Sequence, residues 1–186
     1  MKIHIFGASG SGVTTTGKAL AEKLHFEYLD SDDYFWETTD VPFTLKRNPE
    51  VRNSKIKEDL KALESWILGG SIFEWGENVF PDFDLVVFLW IPSSIRMERL
   101  EKREFKRYGD VIYSDPERKQ QFEDFMKWAA DYDNCTGIAN RNFEAHKNWL
   151  GSINFDILEI SGDLTLEQRI DIIVKKIEEL NKLLLQ

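Results

Sequence analysis

The chain has 186 residues, 42% of them hydrophobic, and a formal net charge of −9, a length that fits one domain able to bury a core without disulfides. Its single cysteine, Cys135, excludes an internal disulfide, its longest apolar run, LVVFLWI, is far shorter than the ~18–20 residues that span a bilayer, and its acidic balance opposes a nucleic-acid backbone at long range. With no signal-peptide pattern in the polar start MKIH, a cytoplasmic protein is expected, a monomer or homodimer without membrane or nucleic-acid partners.

Residues 2–6 read as a short apolar strand, followed by a Gly/Ser-rich turn and a helix over 14–24 with Gly17, Leu20 and Leu24 on one face. A second strand, 26–29, runs into the acidic cluster Asp30, Asp32 and Asp33. A polar stretch with Pro42 and Pro49 leads to a helix over 50–64 and a third strand, 65–73, interrupted by Gly69 and Gly70. Residues 85–91 are apolar on both faces, as in a parallel strand covered by helices on either side. Helices over 93–108, 116–132 and about 140–150 precede a fifth strand, 155–160. The last helix, 165–184, carries Leu166, Ile170, Ile173, Ile177, Leu180 and Leu184 as a stripe and opens on a capping box of Thr165 and Gln168. Strands alternating with helices predict a doubly wound α/β domain over 1–186, three layers around a central five-stranded parallel sheet.

Gly7-Ala8-Ser9-Gly10-Ser11-Gly12-Val13-Thr14 has the spacing GxxxxGx[ST] between a strand and a helix. Glycines let backbone N–H groups converge and the helix N-terminus adds a positive dipole end, so the loop suits a polyphosphate. Gly7, Ser9, Gly10, Ser11, Gly12, Val13, Thr14 and Thr15 are the candidates to hold it, with the Thr14 hydroxyl placed for a metal ion; an ordinary Gly/Ser turn is the bland alternative. The segment resembles the Walker A loop of P-loop NTPases, and GSGVTTTGKALAEKL resembles the lysine-less loop GSGTTT of archaeal-type cytidylate kinases. That resemblance implies ATP and Mg²⁺ as cofactors. Val13 stands where P-loop enzymes carry lysine, and Lys18 is turned about 140° and displaced about 7.5 Å along the helix, so another segment must bring the charge. A degenerate, non-catalytic loop is the alternative.

Asp30 and Asp32 follow the second strand on the edge where ligands bind a parallel sheet. Two carboxylates there can hold Mg²⁺, Asp30 together with Thr14, and orient or deprotonate an acceptor hydroxyl; a capped acidic turn is the alternative. The DxD element resembles that of shikimate and gluconate kinases, which implies a metal and acceptor role for Asp30 and Asp32, with Asp33 a close competitor. Lys46, Arg47 and Arg52 are candidates for an acceptor anion, Gly69, Gly70 and Gly76 for close approach to a ligand, and Trp75 for the core.

Arg96, Arg99, Arg103 and Arg107 share one helical face, with Glu98, Glu101 and Glu104 to another side. This helix resembles the one entering the lid of adenylate-kinase-like proteins, which implies that its arginines replace the missing lysine, with Arg99 and Arg103 at the reacting phosphates, Arg107 on the nucleotide and a helical lid over about 109–140. A solvated helix of Glu/Arg pairs is the alternative. Arg141 and His146 could return to the site, but a lone histidine is more often structural, and neither receives a firm role. Together the resemblances imply a kinase moving the γ-phosphate of ATP to a small-molecule acceptor, first a nucleoside monophosphate and second a hydroxylated metabolite such as a sugar acid. A nucleotide-binding sensor without turnover is the rival.

Overall fold

The computed structural model describes residues 1–76 and 78–184, the last of these without its side chain, so the expected place of Leu184 in the apolar stripe lies outside the described residues. Five strands, β1 (Lys2–Gly7), β2 (Glu27–Asp30), β3 (Trp66–Gly69), β4 (Leu85–Trp90) and β5 (Ile157–Ser161), form one parallel sheet in the order β2-β3-β1-β4-β5. Eight helices connect them among the described residues: α1 (Val13–Leu24), α2 (Ser31–Phe35), α3 (Pro49–Lys61), α4 (Ser93–Tyr108), α5 (Val111–Ser114), α6 (Pro116–Asn134), α7 (Phe143–Ser152) and α8 (Leu166–Leu184).

Alternation along the strands sends side chains to opposite faces. Ile3, Ile5, Leu85, Val87 and Leu89 meet Leu20 of α1 and Ile170, Ile173 and Ile177 of α8. Phe6, Val86, Phe88, Trp66 and Leu68 meet Ile56 and Leu60 of α3 and Leu150 of α7. Covered on both sides, the sheet is the middle of three layers, and each such buried aliphatic side chain contributes about 1.5–3 kcal/mol. His4 is fully buried on the second face, with Nδ1 3.0 Å from the Leu68 carbonyl; burial pulls its pKa down to about 3, so it is a neutral core residue.

Several expected boundaries move for identifiable reasons. The third strand ends at Gly69 because Gly70 takes a φ of 97°. The space at these glycines is filled by protein: a Cβ on Gly69 would stand 2.1 Å from the Tyr28 hydroxyl and one on Gly70 would stand 2.0 Å from Ser31 Oγ. A packed tyrosine and serine, rather than a ligand, require them. The two short helices α2 and α5 fall below the length at which periodicity shows. The expected capping box of α8 is present, with Thr165 N donating to Gln168 Oε1 at 2.9 Å and Gln168 N to Thr165 Oγ1 at 3.2 Å.

From β1 the chain goes to β2 and β3 on one side and to β4 and β5 on the other. The carboxyl end of β1 is thus where the winding reverses, the place where such sheets open a crevice. The glycine loop leaves from that end, and α2, the helical segment α4–α6 and the start of α8 surround it.

Candidate active site

The crevice is a cleft of about 1270 Å³. A site for one small molecule typically measures ~300–1,000 Å³, so this one has room for two. Seven Lys and Arg side chains and four Asp and Glu side chains line it, a local positive excess in an acidic protein.

The loop forms one end. Gly10 (φ 82°) and Gly12 (φ 91°) turn the chain through left-handed conformations, and Gly12 is the N-cap of α1. Gly7, Ser9, Gly10, Gly12, Val13, Thr14 and Thr15 face the cleft. Ser11 does not: its N–H donates to the Ala8 carbonyl at 3.0 Å, closing a tight turn, and its side chain is fully buried under Gly7. The structure therefore removes Ser11 from the face open to a ligand.

Asp30 ends β2 beside the loop. Its Oδ2 accepts from Thr14 Oγ1 at 3.1 Å and from Tyr28 at 2.9 Å, and its Oδ1 caps α2 through Asp32 N at 3.1 Å. The capped-turn reading and the metal reading of Asp30 thus describe the same side chain. A hydroxyl and a carboxylate held this close are hard oxygen donors of the kind Mg²⁺ takes alongside phosphate oxygens. Among the described residues no group of three or more His, Cys, Asp or Glu side chains converges on a common metal position, so any ion there would rely on ligand oxygens and water. Asp32 lines the cleft, and its surface is exposed there. The protein walls around it and the neighbouring Asp30 raise its carboxyl pKa, while Arg141 and Arg103 pull in the opposite direction.

The arginine face of α4 divides. Arg99, Arg103 and Arg107 line the cleft, but each is already engaged: Arg99 with Asp163 at 2.5 Å, Arg103 with Glu104 at 3.1 Å and Arg107 with Glu104 at 3.4 Å. Glu104, expected on another side, is buried between them and faces the cleft. Arg96 is fully buried; it donates to the Ser9 carbonyl at 3.1 Å, pairs with Asp133 and lies 5.1 Å from the Tyr132 ring centroid. It braces the loop against α6 and does not face a ligand.

At the other end of the cleft the expected acceptor cations are rearranged. Lys46 lines it; Arg47 does not, being held by Glu37 and the carbonyls of Asp33 and Tyr34. Arg52 is buried 4.0 Å over the Trp75 ring, and Trp75 is in the core as expected. Arg141, unlike Arg47 and Arg52, lines the cleft. Its guanidinium lies 5.5 Å from the Phe35 ring and 5.7 Å from the Trp128 ring, burial lowers its pKa and Asp32 opposes that shift. Among the described residues no side-chain hydrogen bond or ion pair engages it. Phe43, Phe125 and Tyr132 extend the aromatic wall. His146 also reaches the cleft, but its two ring nitrogens are taken by Tyr132 at 2.9 Å and Ser71 at 3.2 Å, and burial lowers its pKa to about 4. It is a neutral structural link.

Sequence reasoning missed Arg169 of α8, which reaches the back of the loop. The available signal was a charged residue next to Ile170 on a stripe that otherwise buries apolar side chains.

No protein-family model matches the chain. It is 41% identical over 169 residues to the uncharacterised protein YqaC of Bacillus subtilis, covering 91% of this chain and 93% of that one. It is 27% identical to a cytidylate kinase of Archaeoglobus fulgidus (96% and 95% covered) and 28% identical to a shikimate kinase of Caldicellulosiruptor bescii (94% and 96% covered). Among solved structures, deoxyadenosine kinase from M. mycoides with bound dATP superposes with a TM-score of 0.59 at 17% identity, covering 96% of this chain and 100% of that one.

Proposed function

This chain belongs to the family of YqaC and is a P-loop NTPase of the nucleoside-monophosphate-kinase-like group, and on that premise we propose that it is a small-molecule kinase moving the γ-phosphate of ATP to a nucleoside monophosphate. The observation that carries this reading is one cleft that holds the glycine loop and, beyond Asp30 and Asp32, the aromatic-flanked guanidinium of Arg141, which no side-chain hydrogen bond or ion pair engages among the described residues. A sensor of nucleotide alone has no use for the second end.

The loop amides facing the cleft, at the N-terminus of α1, hold the phosphates of ATP. Thr14 Oγ1 and Asp30 would hold Mg²⁺, which supplies charge neutralisation on the transferring phosphates. Arg103 and Arg107 exchange Glu104 for phosphate oxygens as the site fills. Arg141 takes the acceptor's phosphate through its fork of donors, and the aromatic wall stacks its base. Phosphoryl transfer needs chiefly alignment and neutralisation, and these residues provide both.

One observation favours a second acceptor. A carboxylate whose pKa is raised suits proton removal from a hydroxyl, and Asp32 is such a group; a hydroxylated acid, its carboxylate on Arg141, would use it. The relatives named cytidylate kinase and shikimate kinase divide along the same line. ADP release measured with ATP·Mg²⁺ against pooled nucleoside monophosphates and pooled sugar acids tests the proposal. Acceptor-dependent release with a monophosphate supports it, release with a sugar acid alone transfers the site to the second acceptor, and ATP binding without any release returns the protein to the sensor class.

A further inference from the structure

Arg169 stands on the buried side of α8, 7% exposed. Nη1 donates to the Ser11 carbonyl at 3.2 Å and to Thr16 Oγ1 at 3.3 Å, while Nε and Nη2 donate to the Leu164 carbonyl at 3.1 and 2.9 Å. Gly12 lies directly against it, since a Cβ there would be 2.5 Å from Nη1. Each of these acceptors is neutral. Among the described residues no carboxylate lies within 4.0 Å of the guanidinium, and Asp163, whose charge acts on it from farther off, is paired with Arg99.

The setting is electrostatically unfavourable without an anion. Gly12 caps the N-terminus of α1, the positive end of that helix, and the first turn of α1 carries no acidic residue. A buried cation without a counter-ion is strongly disfavoured, and a helix N-terminus beside it adds to the cost. Arg96 shows how this fold builds a plain brace: it also donates to a loop carbonyl, but its charge is matched by Asp133. A brace at Ser11 would need no unmatched charge.

We infer that Arg169 supplies, from behind the loop, the positive charge that Val13 does not, and that its missing counter-ion is the polyphosphate of the bound nucleotide. Affinity at the loop then depends on a side chain from the far end of the chain, and Arg169 acts as a positioning and charge-supplying residue. This rests on the reading of the loop as the polyphosphate site.

Calorimetric binding of ATP, inorganic tripolyphosphate and adenosine to the wild type, R169Q, R169K and T16D, with unfolding temperatures of the ligand-free proteins, tests it. R169Q should weaken ATP and tripolyphosphate at least about tenfold, or about 1.4 kcal/mol, leave adenosine within about twofold and flatten the salt dependence of tripolyphosphate binding, without lowering the ligand-free unfolding temperature. R169K should stay within about threefold of the wild type for ATP. T16D, which puts a carboxylate against Arg169 while keeping the side chain, should raise the ligand-free unfolding temperature and weaken tripolyphosphate; it carries the test if R169Q does not fold. Unchanged tripolyphosphate affinity in R169Q or T16D overturns the inference, as does an equal loss of ATP and adenosine binding, the mark of a collapsed brace. A wild type that binds ATP no tighter than adenosine instead removes the polyphosphate reading of the loop itself.

Discussion

The two ends of the cleft are made in different ways. The loop end is almost a single stretch of chain, Gly7 to Thr15, whose functional groups are backbone amides and one hydroxyl, fixed by two left-handed glycines and the start of α1. The far end takes Asp32 and Phe35 from α2, Lys46 from the loop that follows, Trp128 from α6 and Arg141 from the segment before α7. The first end owes its shape to a local conformation that Arg96 and Arg169 brace from outside; the second exists only once distant elements have packed. Chemistry that tolerates little variation is placed in backbone, and chemistry that selects a partner is placed in side chains that can be exchanged without disturbing the loop.

If that division holds, substitutions at the far end change turnover and leave ATP binding nearly intact. The largest effect is expected for Asp32→Asn, where turnover should fall about 10²- to 10⁴-fold while the ATP dissociation constant moves less than about threefold. A parallel loss of ATP affinity, read by titration calorimetry, would merge the two ends. Arg141→Ala should follow, with about 10²-fold lower kcat/KM for the acceptor, mostly in KM, and Arg141→Lys recovering part of it; an unchanged acceptor KM assigns Arg141 to packing alone. Arg103→Ala should lower turnover by at least about tenfold with little change in unfolding temperature, because its ground-state pair with Glu104 is partly exposed and contributes little to stability. Near-normal turnover would return Arg103 to the solvated-helix reading.

The smallest expected effect concerns stability. His146 and His4 are held neutral, with pKa values of about 4 and about 3 against an ordinary 6.5. Between about pH 6.5 and about pH 4 the unfolded chain therefore binds protons that the folded chain does not, so stability is full above the ordinary value and declines as pH drops through this window. The unfolding temperature should fall on acidification from pH 7 to pH 5, and His146→Gln should flatten that slope. An unfolding temperature level across the window would show that these rings are not kept neutral by the fold.

The same division explains what the sequence made legible. The parallel sheet, the helix over 93–108 and the loop were readable because each depends on local periodicity or on one contiguous motif. Asp30 and Asp32 were readable from their place after a strand. What the sequence could not show was pairing: that Arg96 turns inward to Ser9 and Asp133, that Glu104 sits among the arginines it neighbours, and that Arg47 is already held by Glu37. Helical spacing assigns a residue to a face, but whether a guanidinium there is free for a ligand depends on carboxylates brought in by tertiary contacts. Arg169 was invisible and Arg141 had no firm role for the same reason, since what sets both apart is that no carboxylate pairs with them among the described residues.

The contacts at the end of α6 also set how its resistance to opening is distributed. Asp131 accepts from the backbone of Thr136, Ile138 and Ala139 at 3.0, 2.9 and 2.8 Å and from the Thr136 hydroxyl, and these bonds hold its pKa at about 2. Tyr132 is tied to His146, and Asp133 to Arg96. From Pro116 to Trp128 the helix is exposed or half-buried throughout. In mechanical terms α6 is a cantilever, clamped at its root beside the phosphate loop and resting along its outer length on α4 and α5 through Arg118 over Tyr108, Phe122 against Tyr113 and Arg103 over Phe125. Local opening should start at the Pro116 end, where these contacts are exposed, and stop at the clamp, so that Ser9, gripped through Arg96, stays where it is.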